Sequence, residues 1–302
     1  MNSRNLAASI RARLLVHAKE QDINFTLLLT RYAIERILYR LSISKYRDAF
    51  VLKGALLFDV WFAQSHRPTR DADLLGVGST DSQYLQNLFA EVCAMECADG
   101  IVFDAASVRT SRIRKQMGYA GVRVTLTGEL DRAQCRVQID VGFGDSVFPD
   151  PENVTFPTIL EDVPGLQLKA YTRYTVVAEK FCAMLQRGNL NSRMKDYYDI
   201  LMLSRRTDFD GATLQQAVQS TLARMGESLP DGIPEGLKEE FAANPVKVRQ
   251  WDAFLKKNAL GALPLHEAVE QVRAFLLPML EATSQQRLFR HEWRAGEMWQ
   301  AL

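Results

Sequence analysis

The chain has 302 residues, long enough for two domains and a sizeable core, with 47% hydrophobic and 24% charged residues. A formal net charge of +1 carries no global nucleic-acid signal, so any basic footprint must be local. No apolar run reaches the roughly 18 residues of a membrane span, and the four cysteines show no zinc-like spacing to a histidine and read as reduced thiols.

Residues 1–20 carry arginines through an amphipathic pattern without a signal-peptide core. They run straight into a second helical pattern, so the segment reads as structure. Leu6, Ile10, Leu14 and Val16 predict a helix over 3–20. Leu27, Leu28, Tyr32, Ile34, Ile37 and Leu41 predict another over 24–42, and both are expected to cover a sheet. A strand is expected at 50–53, a helix at 55–63, a strand at 71–75 and a helix at 80–95. Cys93 and Cys97, one helical turn apart, read as core. Strands follow at 101–108, 119–126 and 135–143. In the last, Val137, Ile139 and Val141 share one face, and Gln138, Asp140 and Gly142 the other.

From 147 to 168 prolines at 149, 151, 157 and 164 predict an extended connection. Helices are expected beyond it at 174–186, 192–203, 212–225, 235–243, 246–258 and 265–280, before a polar, aromatic tail. Helices, a mixed core and then a helical half predict an α+β fold, with domains at 1–168 and 169–302.

Chemistry concentrates first between Phe50 and Gly76. An apolar run ends at Lys53-Gly54-Ala55, and the polar loop Gln64 to Arg70 delivers Asp71-Ala72-Asp73 into Leu74-Leu75. Alternate residues of a strand face the same way, so Asp71 and Asp73 would hold two carboxylates side by side. Such a pair is costly without a cation between them, and hard oxygen ligands suit Mg²⁺ completed by substrate phosphates. The bland alternative is a strand entering a solvated turn. Asp140 is a third acid, expected on the same face of a neighbouring strand, to bind a second metal or take a proton from an attacking hydroxyl. Two metals about 4 Å apart would clamp both reacting oxygens of a phosphoryl transfer. The turn at Gly54 would lay backbone N–H groups against a triphosphate. No Gly-Lys-Ser or Gly-Lys-Thr occurs, which disfavours a P-loop ATPase.

A second concentration lies between Thr172 and Ile200. Glu179-Lys180 sits in an apolar helix, where the lysine either snorkels outward or points into a site. Asn189-Leu190-Asn191 reads as a break with Ser192 as a cap. Arg193, Asp196 and Asp199 share one face of the next helix, a pattern that is most often a surface ion pair. Yet residues 165–206 hold eight basic side chains against three acids, a local net of +5. A second basic stretch (Arg109, Arg112, Arg114, Lys115 and Arg123) has no acid between Ser107 and Thr127.

Lys53-Gly54-Ala55, Thr69-Arg70-Asp71-Ala72-Asp73, Ile139-Asp140-Val141, Glu179-Lys180 and Arg193-Met194-Lys195-Asp196-Tyr197-Tyr198-Asp199 together resemble the AbiEii/AbiGii-type nucleotidyltransferase toxins, of the DNA polymerase β-like superfamily. The resemblance runs over about residues 1–205, and the RxKDxxD helix is its most specific element. It implies a polymerase-β-like core in which Asp71 and Asp73 bind Mg²⁺, Lys180 contacts the triphosphate and Asp196 completes the site. Lys53, Gly54, Ala55 and Arg193 fall within its nucleotide-binding elements. It implies an NTP as substrate, RNA, above all the tRNA acceptor end, as acceptor, and a cognate antitoxin protein as partner. Transfer to a protein or small molecule, or a silent partner-binding module, are the alternatives.

Two departures stand out. The usual Gly-Ser reads Gly54-Ala55, and fifteen residues separate Ala55 from Asp71, so HRPTR is expected as a loop at the mouth of the site. Some relatives are silenced by phosphorylation near the first acid, and Thr69, flanked by Arg67 and Arg70, is the matching candidate. Its plainer role is to support the turn with a side-chain hydrogen bond.

Overall fold

A computed structural model describes residues 3–62, 67–114 and 120–302. Gln64, Ser65 and His66 of the polar loop, with Lys115 and Tyr119, lie outside the described residues. The chain forms two compact units, Met1–Gly144 with Glu152–Ala170, and Asp145–Pro151 with Tyr171–Leu302.

The first unit opens with α1 (Ser3–Glu20) and α2 (Phe25–Ile43), the latter capped by Asn24, whose side chain accepts from the Leu27 N–H. Then come β1 (Phe50–Lys53), α3 (Leu57–Trp61), β2 (Ala72–Gly76) and α4 (Ser82–Cys93). The long antiparallel strands β3 (Ile101–Arg114), β4 (Ala120–Leu130) and β5 (Ala133–Phe143) follow, then β6 (Glu152–Phe156) and β7 (Leu166–Ala170). Among the described residues they form one seven-stranded mixed sheet, ordered β3-β4-β5-β2-β1-β7-β6, with β2–β5 and β1–β7 the parallel pairs.

Cross-strand register explains the two faces of this sheet. Leu52, Leu74, Val141 and Val122 stand in one row, and Ala72, Ile139 and Val124 in another, all buried. α2 packs against β5 and β7, and α4 against β3, on this apolar side. A shift of one residue along each strand moves to the opposite face, where Lys53, Asp73, Asp140 and Arg123 form the adjacent row.

The connection expected over 147–168 contains β6 and β7. Its prolines bracket these strands rather than interrupt them, Pro149 and Pro151 before β6, Pro157 and Pro164 between the two. The helix expected at 55–63 starts with a tight turn at Gly54–Leu56.

The second unit contains α5 (Arg173–Arg187), α6 (Met194–Arg206), β8 (Phe209–Asp210), α7 (Gly211–Met225), α8 (Glu239–Ala243), α9 (Pro245–Lys257) and α10 (Leu265–Ser284). The tail adds β9 (His291–Trp293) and β10 (Trp299–Ala301), which complete a three-stranded antiparallel sheet with β8. Its aromatic residues carry no strand pattern, because the strands are only two and three residues long. Ser192 is not the cap of α6. The Asn191 side chain takes the Arg193 N–H instead, at 3.0 Å. All four cysteines are free thiols, as their spacing implies, and burial pushes Cys93 up to about 12 and Cys135 up to about 11.

Candidate active site

The β1–β2 hairpin sets the position of Asp73. Lys53 pairs with Asp73 across the two strands, and the chain leaves β1 through Gly54 at φ +77°, a conformation that favours glycine. A methyl group built on Gly54 would run into the Asp73 carboxylate. The Asp73 side chain therefore rests on the Gly54 backbone. Across the other edge of β2, Asp73 stands in direct parallel register with Asp140 of β5. The third acid thus lies on the neighbouring strand and on the face expected for it.

Asp71 precedes β2 by one residue. Its Oδ1 accepts from the Thr69 hydroxyl at 2.9 Å, and Thr69 itself is buried. That bond matches the turn-supporting role of Thr69 and orients the Asp71 carboxylate. Asp140 has a different partner. Arg123 of β4 holds it at both oxygens, Nε to Oδ1 and Nη2 to Oδ2, each 2.8 Å. Hydrogen bonding to Asp140 raises the Arg123 pKa further above its ordinary value against the opposing effect of burial, and the Asp140, Asp71 and Asp73 charges add smaller upward pulls. Among the described residues no three His, Cys, Asp or Glu side chains converge as a ready metal cage.

The sequence puts Arg123 in a basic stretch, and the structure puts it against Asp140. The sequence did hold a clue to its position. Asp131 and Arg132, both at positive φ, make the two-residue turn that pairs Leu130 with Ala133. Counting seven residues back and seven forward from that pair brings Arg123 opposite Asp140. Without an Asn-Gly or Asp-Gly signature the turn could not be fixed beforehand.

The second unit gathers Lys180, Arg193, Asp196 and Asp199. Lys180 Nζ lies 2.5 Å from Asp199 Oδ2 and 3.4 Å from Asp196 Oδ1, and Arg193 Nε lies 2.5 Å from Asp196 Oδ2. Both aspartates are 0% exposed. Burial drives the Asp196 carboxyl upward, but Lys180 and Arg193 outweigh it and hold the group below the usual carboxylate range. Lys180 neither snorkels freely nor waits unpaired. It is the hinge-pin of a buried ion cluster joining α5 to α6.

A family model described as "Nucleotidyl transferase AbiEii toxin, Type IV TA system" matches residues 36–276. The chain belongs to the AbiEii nucleotidyltransferase toxin family. This AbiEii protein is accordingly a nucleotidyltransferase, of a family whose setting is the type IV toxin–antitoxin system. Its fold is similar to the crystal structure of a presumed nucleotidyltransferase from H. pylori, with a TM-score of 0.51 at 12% identity, over 88% of this chain and 99% of that one. JHP933 from Helicobacter pylori gives a TM-score of 0.48 at 12% identity, over 86% and 94%. No curated protein matches the chain. The AbiEii fold is α+β, with a mixed sheet in the first unit and a mainly helical second unit.

Proposed function

We propose that this AbiEii protein transfers a nucleoside monophosphate from an NTP to RNA, with Mg²⁺ as cofactor and the tRNA acceptor end as target. The observation that carries the catalytic part is the seating of Asp73 on Gly54, in register with Asp140. That arrangement fixes a carboxylate against a glycine turn whose backbone N–H groups, in this proposal, face the triphosphate. The oxygen donors of Asp71 and Asp73 fit Mg²⁺, which needs only one or two protein carboxylates when phosphates and water complete its shell. When bound, the metal would neutralise charge on the phosphoryl oxygens.

The chain's own residues supply the positioning. Thr69 orients Asp71, and the Gly54 turn holds Asp73 in place. In this proposal Lys53, Ala55 and Arg193 belong to the nucleotide-binding elements, Lys180 stabilises the triphosphate and Asp196 completes the catalytic set. Asp140 serves as third metal ligand or proton acceptor. Residues 1–168 are the catalytic core and 169–302 a helical domain. RNA as acceptor follows from the family resemblance and from the two acid-poor basic stretches. A cognate antitoxin protein is the proposed partner. Among the described residues no helix is long and apolar enough to cross a membrane, and the proposed acceptor places the enzyme in the cytoplasm.

The test is incubation with each labelled NTP, Mg²⁺ and total RNA. Label in the tRNA fraction is the expected result. Label in protein or a small molecule would replace RNA as the acceptor, and no incorporation from any NTP would overturn the proposal.

A further inference from the structure

Two arginine–aspartate forks lie among the described residues of the first unit, and their settings differ. Arg40 grips Asp99 at 2.6 and 3.1 Å, and the same guanidinium also reaches the Arg36, Met95 and Ile101 carbonyls. That pair is sealed, with side chains 2% and 0% exposed. Opening it would strand uncompensated charge in the core. The Arg123–Asp140 fork has comparable geometry, but its side chains are 41% and 19% exposed. With its arginine reaching water, this pair is partly screened and held less firmly than the sealed one. The first fork is built to stay shut, and the second can open.

What the second fork occupies gives it a consequence. Lys53, Asp73, Asp140 and Arg123 stand in one row across β1, β2, β5 and β4, two acids flanked by two cations. A guanidinium that takes both oxygens of Asp140 blocks the lone pairs a metal ion would use. It also neutralises one member of a like-charged pair.

We infer that Arg123 is a latch on Asp140, a positioning residue that keeps the third acid out of the metal site until incoming phosphate draws the guanidinium away. The inference rests on the proposed metal-binding role of Asp71 and Asp73. With the latch closed, the resting protein binds a divalent ion through those two acids alone. With the latch open, Asp140 joins them.

Mn²⁺ titration of the nucleotide-free full chain, read by electron paramagnetic resonance, tests this without any activity measurement. Arg123→Ala should bind Mn²⁺ roughly tenfold more tightly than the wild type, the scale on which groups holding a ligand tune metal affinity. Loss of a positive charge would also tighten binding, so the comparison is repeated in an Asp140→Asn background. There the Arg123→Ala gain should vanish, because the latch has nothing to release. A gain that persists without Asp140 means simple charge repulsion and overturns the latch. No gain from Arg123→Ala also overturns it, while leaving the metal site intact if the wild type binds Mn²⁺ and Asp73→Asn does not. If wild type and Asp73→Asn bind alike, the metal-site reading fails and the latch with it. Since Arg123 is half exposed, Arg123→Ala should fold, and far-ultraviolet circular dichroism checks that it has.

Discussion

Asp73 has little freedom, since the Gly54 backbone lies against its carboxylate and the strand register places Asp140 beside it. Like-charged neighbours cost stability, so removing one relieves repulsion while removing a metal ligand. Asp71→Ala and Asp73→Ala are each expected to abolish nucleotide incorporation at an unchanged or slightly raised melting temperature. Retained activity in both variants would remove these acids from the site. Thr69→Val should also lower incorporation, because it deletes the hydroxyl that orients Asp71 without altering the turn's shape. Wild-type activity in that variant would show that the bond does no positioning. Lys180 behaves differently. A purely nucleotide-binding lysine could be removed at no cost to stability, yet this one pairs with two fully buried aspartates. Lys180→Ala should therefore lose about 3 kcal/mol of stability as well as activity, since an uncompensated buried charge is left behind. Urea denaturation measures the loss, and an unchanged midpoint would return Lys180 to a binding role alone.

Among the elements, those with strong local signals are legible in the sequence. The helices α2, α5, α7 and α9 lie within one or two residues of their expected ends, and β1 at 50–53 matches throughout. The pairings were not legible. Alternation alone puts Asp71 and Asp73 on a common face, but the place of Asp140 beside them depends on the parallel β2–β5 pairing. Sequence distance hides that pairing, as it hides β6 and β7 behind their flanking prolines. Buried charge inside a helix was equally hidden. Glu35 on α2 is 1% exposed, accepts from the Ile159 N–H at 2.8 Å and lies 2.6 Å from Arg36. Burial pushes its carboxyl up to about 7, against the opposing pull of Arg36. A carboxyl raised in the folded state stabilises the fold at pH below its unfolded value near 4.5 and loses that contribution as pH rises through about 7. Glu35→Gln should thus flatten the stability profile between about pH 5 and pH 8. Guanidinium unfolding at both ends of that range gives the comparison. Profiles of equal slope in wild type and variant would rule Glu35 out as the source.

At the scale of the whole chain, the family match ends at residue 276, whereas the chain continues through the end of α10 into β9 and β10. This tail is bound to the second unit by contacts of several kinds. Trp293 lies 4.9 Å from Phe275, centroid to centroid, and Trp299 stacks on the same ring at 5.7 Å. The two indoles donate to the carbonyls of Ser204 and Phe275 at 2.6 and 2.8 Å. The Phe289 N–H donates to the Gln215 side chain at 2.9 Å, and Phe289 and Trp293 are buried. Gly211, at the start of α7, has no room for a side chain because Phe289 and the His291 carbonyl lie against it. Deleting residues 288–302 would uncover Phe275 and leave the Gln215 side chain short of a buried partner. Two tryptophans and a phenylalanine removed from a packed cluster cost on the order of 5 kcal/mol or more, comparable to the whole stability of many domains. The expected outcome is confined to the elements that touch the tail. Hydrogen exchange should accelerate in α6, α7 and α10 of the truncated protein, while β2 and β5, which share none of these contacts, keep their protection. If α7 and α10 exchange at the wild-type rate after truncation, the tail is an ornament on the second unit rather than part of its core.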